Sequence, residues 1–76
     1  MNPYIAILTS PHGSARVLTY AEDLGAAHQS LTAFIYGWRA CGGTPLTVTS
    51  IHLAERPRDA LLLSDGAAIL QKLRGQ

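Results

Sequence analysis

The chain has 76 residues, of which 47% are hydrophobic and 14% are charged, and its formal net charge is +1 at pH 7. This length predicts one small domain over residues 1–76, with nearly all of the chain needed to build its core. The near-neutral charge excludes nucleic acid and anionic membranes as main partners, and no apolar run approaches the roughly 20 residues of a membrane span.

The N-terminal residues and the single cysteine bear on the cellular compartment. The N-terminus has neither the basic region nor the apolar region of a signal peptide, so we expect a cytoplasmic location. Cys41 is the single cysteine and cannot form an internal disulfide, which agrees with a reducing compartment.

The first 21 residues have the pattern of a hairpin. Residues 4–9 are apolar on both faces and rich in strand-forming types, as in a central strand. Residues 10–14, Ser-Pro-His-Gly-Ser, follow as a turn, because proline presets the first corner and glycine tolerates positive φ. Residues 16–21 then predict a second, antiparallel strand. Its alternation places three larger side chains on one face: Arg16, Leu18 and Tyr20.

A helical period begins after Glu22. Its apolar stripe consists of Leu24, Ala27, Leu31, Phe34, Ile35, Trp38 and Cys41. The pair Gly42-Gly43 supplies a C-terminal stop. Gly25 and Gly37 weaken such a helix, and the β-prone residues around Ile35 suit a strand. Residues 31–36 are therefore open to either interpretation.

The second half of the chain predicts two strands and a short helix. Residues 46–53 alternate with a change of phase near Thr49, which indicates a bulge. Pro57 either opens a helix or lies in the turn of a second hairpin. We favour the hairpin, with a fourth strand over 60–63 and a helix over 67–73 that begins at Ser64 or Asp65.

These elements predict an α+β fold of the order β-β-α-β-β-α. An antiparallel sheet of three to four strands would carry one long and one short helix on one face. The two halves of the chain would then be two β-β-α units in series.

Residues with catalytic or metal-binding chemistry show no spacing that would form a site. The three histidines and the cysteine, at positions 12, 28, 52 and 41, form no short ligand pair, so we expect no metal. The serines form no nucleophile elbow, and neither glycine site has the form of a phosphate-binding loop. Cys41 lies in register with Trp38 and is interpreted as a small core residue. We therefore expect neither an enzyme nor a cofactor.

Tyrosine and arginine, by contrast, are the residue types that anchor protein interfaces, because they combine large area with a hydrogen-bonding end. Tyr36 and Arg39 lie three residues apart and can meet on one helix face. The predicted protein-binding residues are Tyr20, Tyr36, Arg39, Arg56 and Arg58. In the alternative interpretation, Tyr20 covers a sheet edge and the arginines only solubilise the surface.

Two resemblances extend this interpretation. The strand, turn and strand, followed by Ala-Glu-Asp-Leu-Gly-Ala-Ala at 21–27, Gly42-Gly43 and a further strand, resemble small β-β-α-β proteins of phages and mobile elements. Several anti-CRISPR inhibitors belong to that group. The resemblance covers residues 4–53 and implies a protein that occludes a functional surface of its target.

The competing resemblance is to DsrE-like sulfur-relay proteins. It is carried by residues 5–13, Ala27-His28, residues 33–36 and residues 59–66. It implies an α/β fold with a strand over 31–36, and Cys41 would have to carry sulfur, because residues 46–56 contain no cysteine.

The sequence thus predicts a non-enzymatic protein-binding module, in its concrete form a phage or mobile-element protein that acts as an anti-CRISPR-like inhibitor. The expected partner is a larger protein or complex, with a homodimer as the other option. No membrane is expected, nor nucleic acid as a direct partner. The alternative is a DsrE-like sulfur-relay or small-ligand-binding protein that uses Cys41.

Overall fold

A four-stranded sheet carries two helices in the computed structural model, which describes residues 1–43, 45–55 and 60–74. The fold is α+β. The elements, in chain order, are β1 (Asn2–Ser10), β2 (Gly13–Ala21), α1 (Leu24–Ala40), β3 (Thr47–Leu53), β4 (Leu61–Leu62) and α2 (Gly66–Leu73).

The N-terminal hairpin is longer than predicted. β1 and β2 pair antiparallel along their full length, from Asn2 opposite Ala21 to Ser10 opposite Gly13. The predicted alternation on β2 is confirmed, because Val17 is buried on one face while Arg16 is exposed on the other.

The sheet is mixed, so the expectation of a purely antiparallel sheet is wrong. β3 pairs antiparallel with β1, whereas β4 pairs parallel with β2, which gives the strand order β3-β1-β2-β4. The prediction of a second hairpin is also wrong. β3 and β4 lie at opposite edges of the sheet, three strand spacings or about 14 Å apart, so they do not pair with each other. The eight-residue step from Leu53 to Leu61 can span up to about 26 Å, so it is long enough to cross two strands. The predicted turn at Pro57 lies outside the described residues.

The predicted bulge in β3 is confirmed. Ser50 pairs with Ile7 and Val48 pairs with Leu8, so Thr49 is the extra residue on the β3 side. Its hydroxyl lies 2.9 Å from that of Thr9 on β1. The bulge keeps Val48 and Ile51 packed against the core although the alternation of β3 changes phase between them.

Residues 31–36 are helical, which settles the open choice in favour of α1. Asp23 caps the first turn, with Oδ1 accepting from the Ala26 N–H at 2.8 Å. At the other end Gly42 takes φ +80°, and its N–H donates to the carbonyl oxygen of Arg39 at 3.0 Å. The Gly43 N–H donates to the carbonyl oxygen of Trp38 at 2.9 Å, which completes a Schellman motif.

Both helices cover the same face of the sheet. The main core cluster joins alternate residues of the hairpin to the inner faces of the helices; its buried members are Ala6, Leu8, Ala15, Val17, Leu31, Trp38, Ile69 and Leu73. On the opposite face Ile5 and Leu18 are buried with Ala54. No helix among the described residues is long and apolar enough to cross a membrane.

Candidate functional site

The predicted tyrosine and arginine residues do not form one surface. Tyr36 and Arg39 are exposed on the second half of α1, with 68% of Tyr36 accessible. Tyr20 is 49% exposed on β2, but its strand position places it on the sheet face opposite α1. The structure therefore separates Tyr20 from the other two. Arg56 and Arg58 lie outside the described residues.

The solvent-facing side of α1 is unusually poor in charge. At 100° per residue, one stripe of exposed residues covers about 120° of the helix surface. We call this stripe the α1 outer face: Gly25, Gln29, Ala33, Tyr36, Gly37 and Ala40. None of its residues carries a formal charge, whereas the solvent side of a surface helix normally does. Arg39 borders it on the side of Tyr36.

Gly37 lies within this helix with open space around it, since a Cβ built there meets nothing within 4 Å. Glycine costs about 1 kcal/mol relative to alanine inside a helix. Gly37→Ala is therefore expected to raise the free energy of unfolding by about 1 kcal/mol and the melting temperature by about 4–8 °C, as measured by thermal circular dichroism. A melting temperature that falls instead would show that the backbone at this position depends on glycine.

A cleft of about 560 Å³ opens beside α1 at the end of the sheet where β1 turns into β2. We call this end of the molecule the hairpin end. The floor is aromatic and aliphatic, with Trp38 and Phe34 from α1 and Leu70 and Leu73 from α2. The remaining lining residues come from the hairpin turn, the helices and the helix termini: His12, Ala33, Gly37, Cys41, Gly42, Gly43, Gly66 and Arg74.

A buried serine joins two walls of this cleft. Ser10 is 8% exposed, and its hydroxyl donates to the carbonyl oxygen of Leu73 at 2.6 Å. The same oxygen accepts from the N–H groups of His12 and Gly13, each at 3.2 Å. Its one donor and two acceptor positions are thus used, and they hold the hairpin turn against the end of α2.

The third wall is held by contact between Gly43 and Trp38. A Cβ at Gly43 would overlap the indole atoms Nε1, Cδ1 and Cε2 of Trp38. The backbone after α1 therefore packs directly on the ring, which is 8% exposed. This close approach requires glycine at position 43 and fixes the indole at the floor of the cleft.

The interpretation of Cys41 as a core residue is wrong. Cys41 is exposed at the C-cap of α1, one residue beyond the end of the helix at Ala40. Leu24, at the other end of the predicted stripe, is also exposed. The strand that the sulfur-relay resemblance requires over residues 31–36 is absent as well, because these residues belong to α1. Among the described residues, no group of three or more His, Cys, Asp or Glu is placed to hold a metal ion.

The spacing of residues along the chain does not predict the cleft. Its floor joins residues more than 30 positions apart, from α1 and α2, and the parallel pairing of β4 with β2, which connects to α2, was not predicted. One local signal was present: Trp38 follows Gly37 and precedes Gly42-Gly43, and glycines let the backbone approach a large aromatic ring closely.

No protein-family model matches the chain, and no curated protein or solved structure matches it.

Proposed function

We propose that this chain is a non-enzymatic protein-binding module that docks on a larger protein through the α1 outer face. The observation that carries the proposal is the absence of formal charge along this exposed stripe, on which Tyr36 is 68% exposed. A large exposed tyrosine with few charges around it is typical of the core of an interface, while charged residues belong to its rim. Arg39 lies at this rim.

The geometry of α1 suits docking without rearrangement. The helix is capped by Asp23 at its start and by the Schellman motif at its end. Leu31 and Trp38 fix its inner side to the core. A preformed helix loses little conformational entropy on binding, which favours affinity at a given contact area.

The size of the chain suits a module that acts by occlusion. A standard interface covers about 800 Å² on each partner, roughly a sixth of the total accessible surface of 4895 Å². In its concrete form the proposal is an inhibitor that blocks a functional surface of its target, as the resemblance to anti-CRISPR proteins implies.

The test compares two tyrosine and arginine pairs on opposite faces of the molecule. Tyr36→Ala with Arg39→Ala removes the proposed anchors, while Tyr20→Ala with Arg16→Ala makes the same chemical change on the sheet face away from α1. Both double variants should keep their melting temperatures within a few degrees, because the four residues are exposed.

Tagged wild-type protein and both variants are used to capture partners from a lysate of the encoding organism, with quantification by mass spectrometry. We expect at least one protein whose capture falls about tenfold with the Tyr36 and Arg39 variant and is unchanged with the control. Equal capture by all three proteins would contradict the proposal. Loss with the Tyr20 and Arg16 pair alone would place the interface on the opposite face.

A further inference from the structure

Arg74 is the one residue with a formal charge among the described residues that line the cleft at the hairpin end. His12 from the hairpin turn and Arg74 from the C-cap of α2 line it, together with the apolar floor around Trp38. None of its described lining residues is acidic.

Among the described residues, charges are partly segregated along the molecule as well, although Asp65 directly precedes Gly66, which lines the cleft. Arg39 and Lys72 lie in the last turns of the two helices, and both helices end at the hairpin end. Glu22 and Asp23 precede α1 and Glu55 follows β3, at the other end of the sheet. The basic residues also complement the helix dipoles, so this segregation alone is no sign of a ligand. At the hairpin end, however, it coincides with an open apolar cleft.

We propose that the cleft receives an acidic segment of the partner protein, which inserts one large apolar side chain against Trp38 and places carboxylates beside Arg74 and His12. This inference rests on the proposed function, because it specifies the chemistry of the protein that covers α1. Gly37 connects the two surfaces, since it belongs to the α1 outer face and also lines the cleft.

Shape and rigidity support this occupant. The volume of about 560 Å³ lies within the range of 300–1,000 Å³ typical of sites that enclose a ligand group. The hydrogen bond from Ser10 to Leu73 and the contact of Gly43 with Trp38 hold the walls in place without a ligand. A partner side chain would therefore enter a preformed site.

The first test selects displayed random 12-residue peptides on immobilised full-length protein. Gly37→Gln serves for counter-selection, because its longer side chain occupies the open space at the cleft. We expect the enriched peptides to be net acidic and to share one large apolar residue. Peptides that are neutral or basic, that bind Gly37→Gln equally well, or that fail to enrich at all would overturn the proposal.

The second test measures the charge contribution with one enriched peptide that contains no tryptophan. Trp38 is the single tryptophan of the chain, so its fluorescence reports occupancy of the cleft directly. Arg74→Gln is expected to weaken binding about two- to fivefold, whereas Arg16→Gln, on the opposite sheet face, should leave it unchanged. Equal effects of the two variants would overturn the proposal.

These outcomes remain separate from those of the capture experiment. If the partner is lost with the Tyr36 and Arg39 variant but kept by Gly37→Gln, the α1 outer face binds the partner and the cleft does not. If peptides enrich as expected but no partner depends on Tyr36 and Arg39, the cleft binds acidic segments and the proposed docking through α1 is wrong.

Discussion

Ser10→Ala is expected to lower the free energy of unfolding by about 2 kcal/mol, because one buried hydroxyl satisfies three backbone groups. The carbonyl oxygen of Leu73 loses its donor, and the N–H groups of His12 and Gly13 lose their acceptor. These groups belong to the hairpin turn and to the end of α2, so the substitution also releases two walls of the cleft. For a domain of this size the melting temperature should fall by about 8–16 °C.

Urea unfolding followed by circular dichroism measures this loss, with Ser14→Ala as the matched control. Ser14 lies close by on β2 but is exposed, so its replacement should change the stability by no more than about 0.5 kcal/mol. Equal stabilities for the two variants would show that the Ser10 hydroxyl does not hold the hairpin turn against α2.

The second large effect is expected at Gly43. Gly43→Ala should destabilise the fold by about 2 kcal/mol, since the added methyl group overlaps the indole of Trp38 and the ring must move within a packed core. The cause is steric, because Gly43 does not share the positive φ of Gly42.

Gly37→Ala is the natural comparison, because it makes the same chemical change at a position with open space, and its expected effect has the opposite sign. Urea unfolding gives the stability of both variants, and the emission of Trp38 reports whether the ring has moved. A Gly43→Ala variant as stable as the wild type, with unchanged emission, would contradict the contact between Gly43 and the indole.

Local patterns accounted for the elements whose partners are close in sequence. The turn residues between β1 and β2 and the alternation of Arg16 and Val17 predicted the hairpin and its faces correctly, but the turn is two residues long instead of covering residues 10–14, and Gly13 already belongs to β2. The phase change near Thr49 located the bulge, because a period-two pattern cannot shift unless one residue is left without a partner. The helical stripe located α1, although the β-prone residues near Ile35 competed with it until packing against the sheet decided the outcome.

Those local patterns could not predict which strands distant in sequence pair with each other. β4 consists of two residues, and its parallel pairing with β2 depends on a connection that leaves the opposite edge of the sheet. The same limit applies to the candidate sites. Tyr36 and Arg39 were found because they share a helix, whereas the position of Tyr20 on the other side of the sheet and the cleft above Trp38 both depend on the tertiary arrangement.

The order of strands in the sheet has a consequence for synthesis on the ribosome. The hairpin of β1 and β2 forms the two central strands, yet it leaves the ribosome before β3 and β4. Each of its outer edges remains open until residues 47–53 and then 61–62 have been translated. Open strand edges pair readily with other chains. The nascent protein is therefore most prone to aggregation after the hairpin has been translated and before β3 and β4 have paired with it.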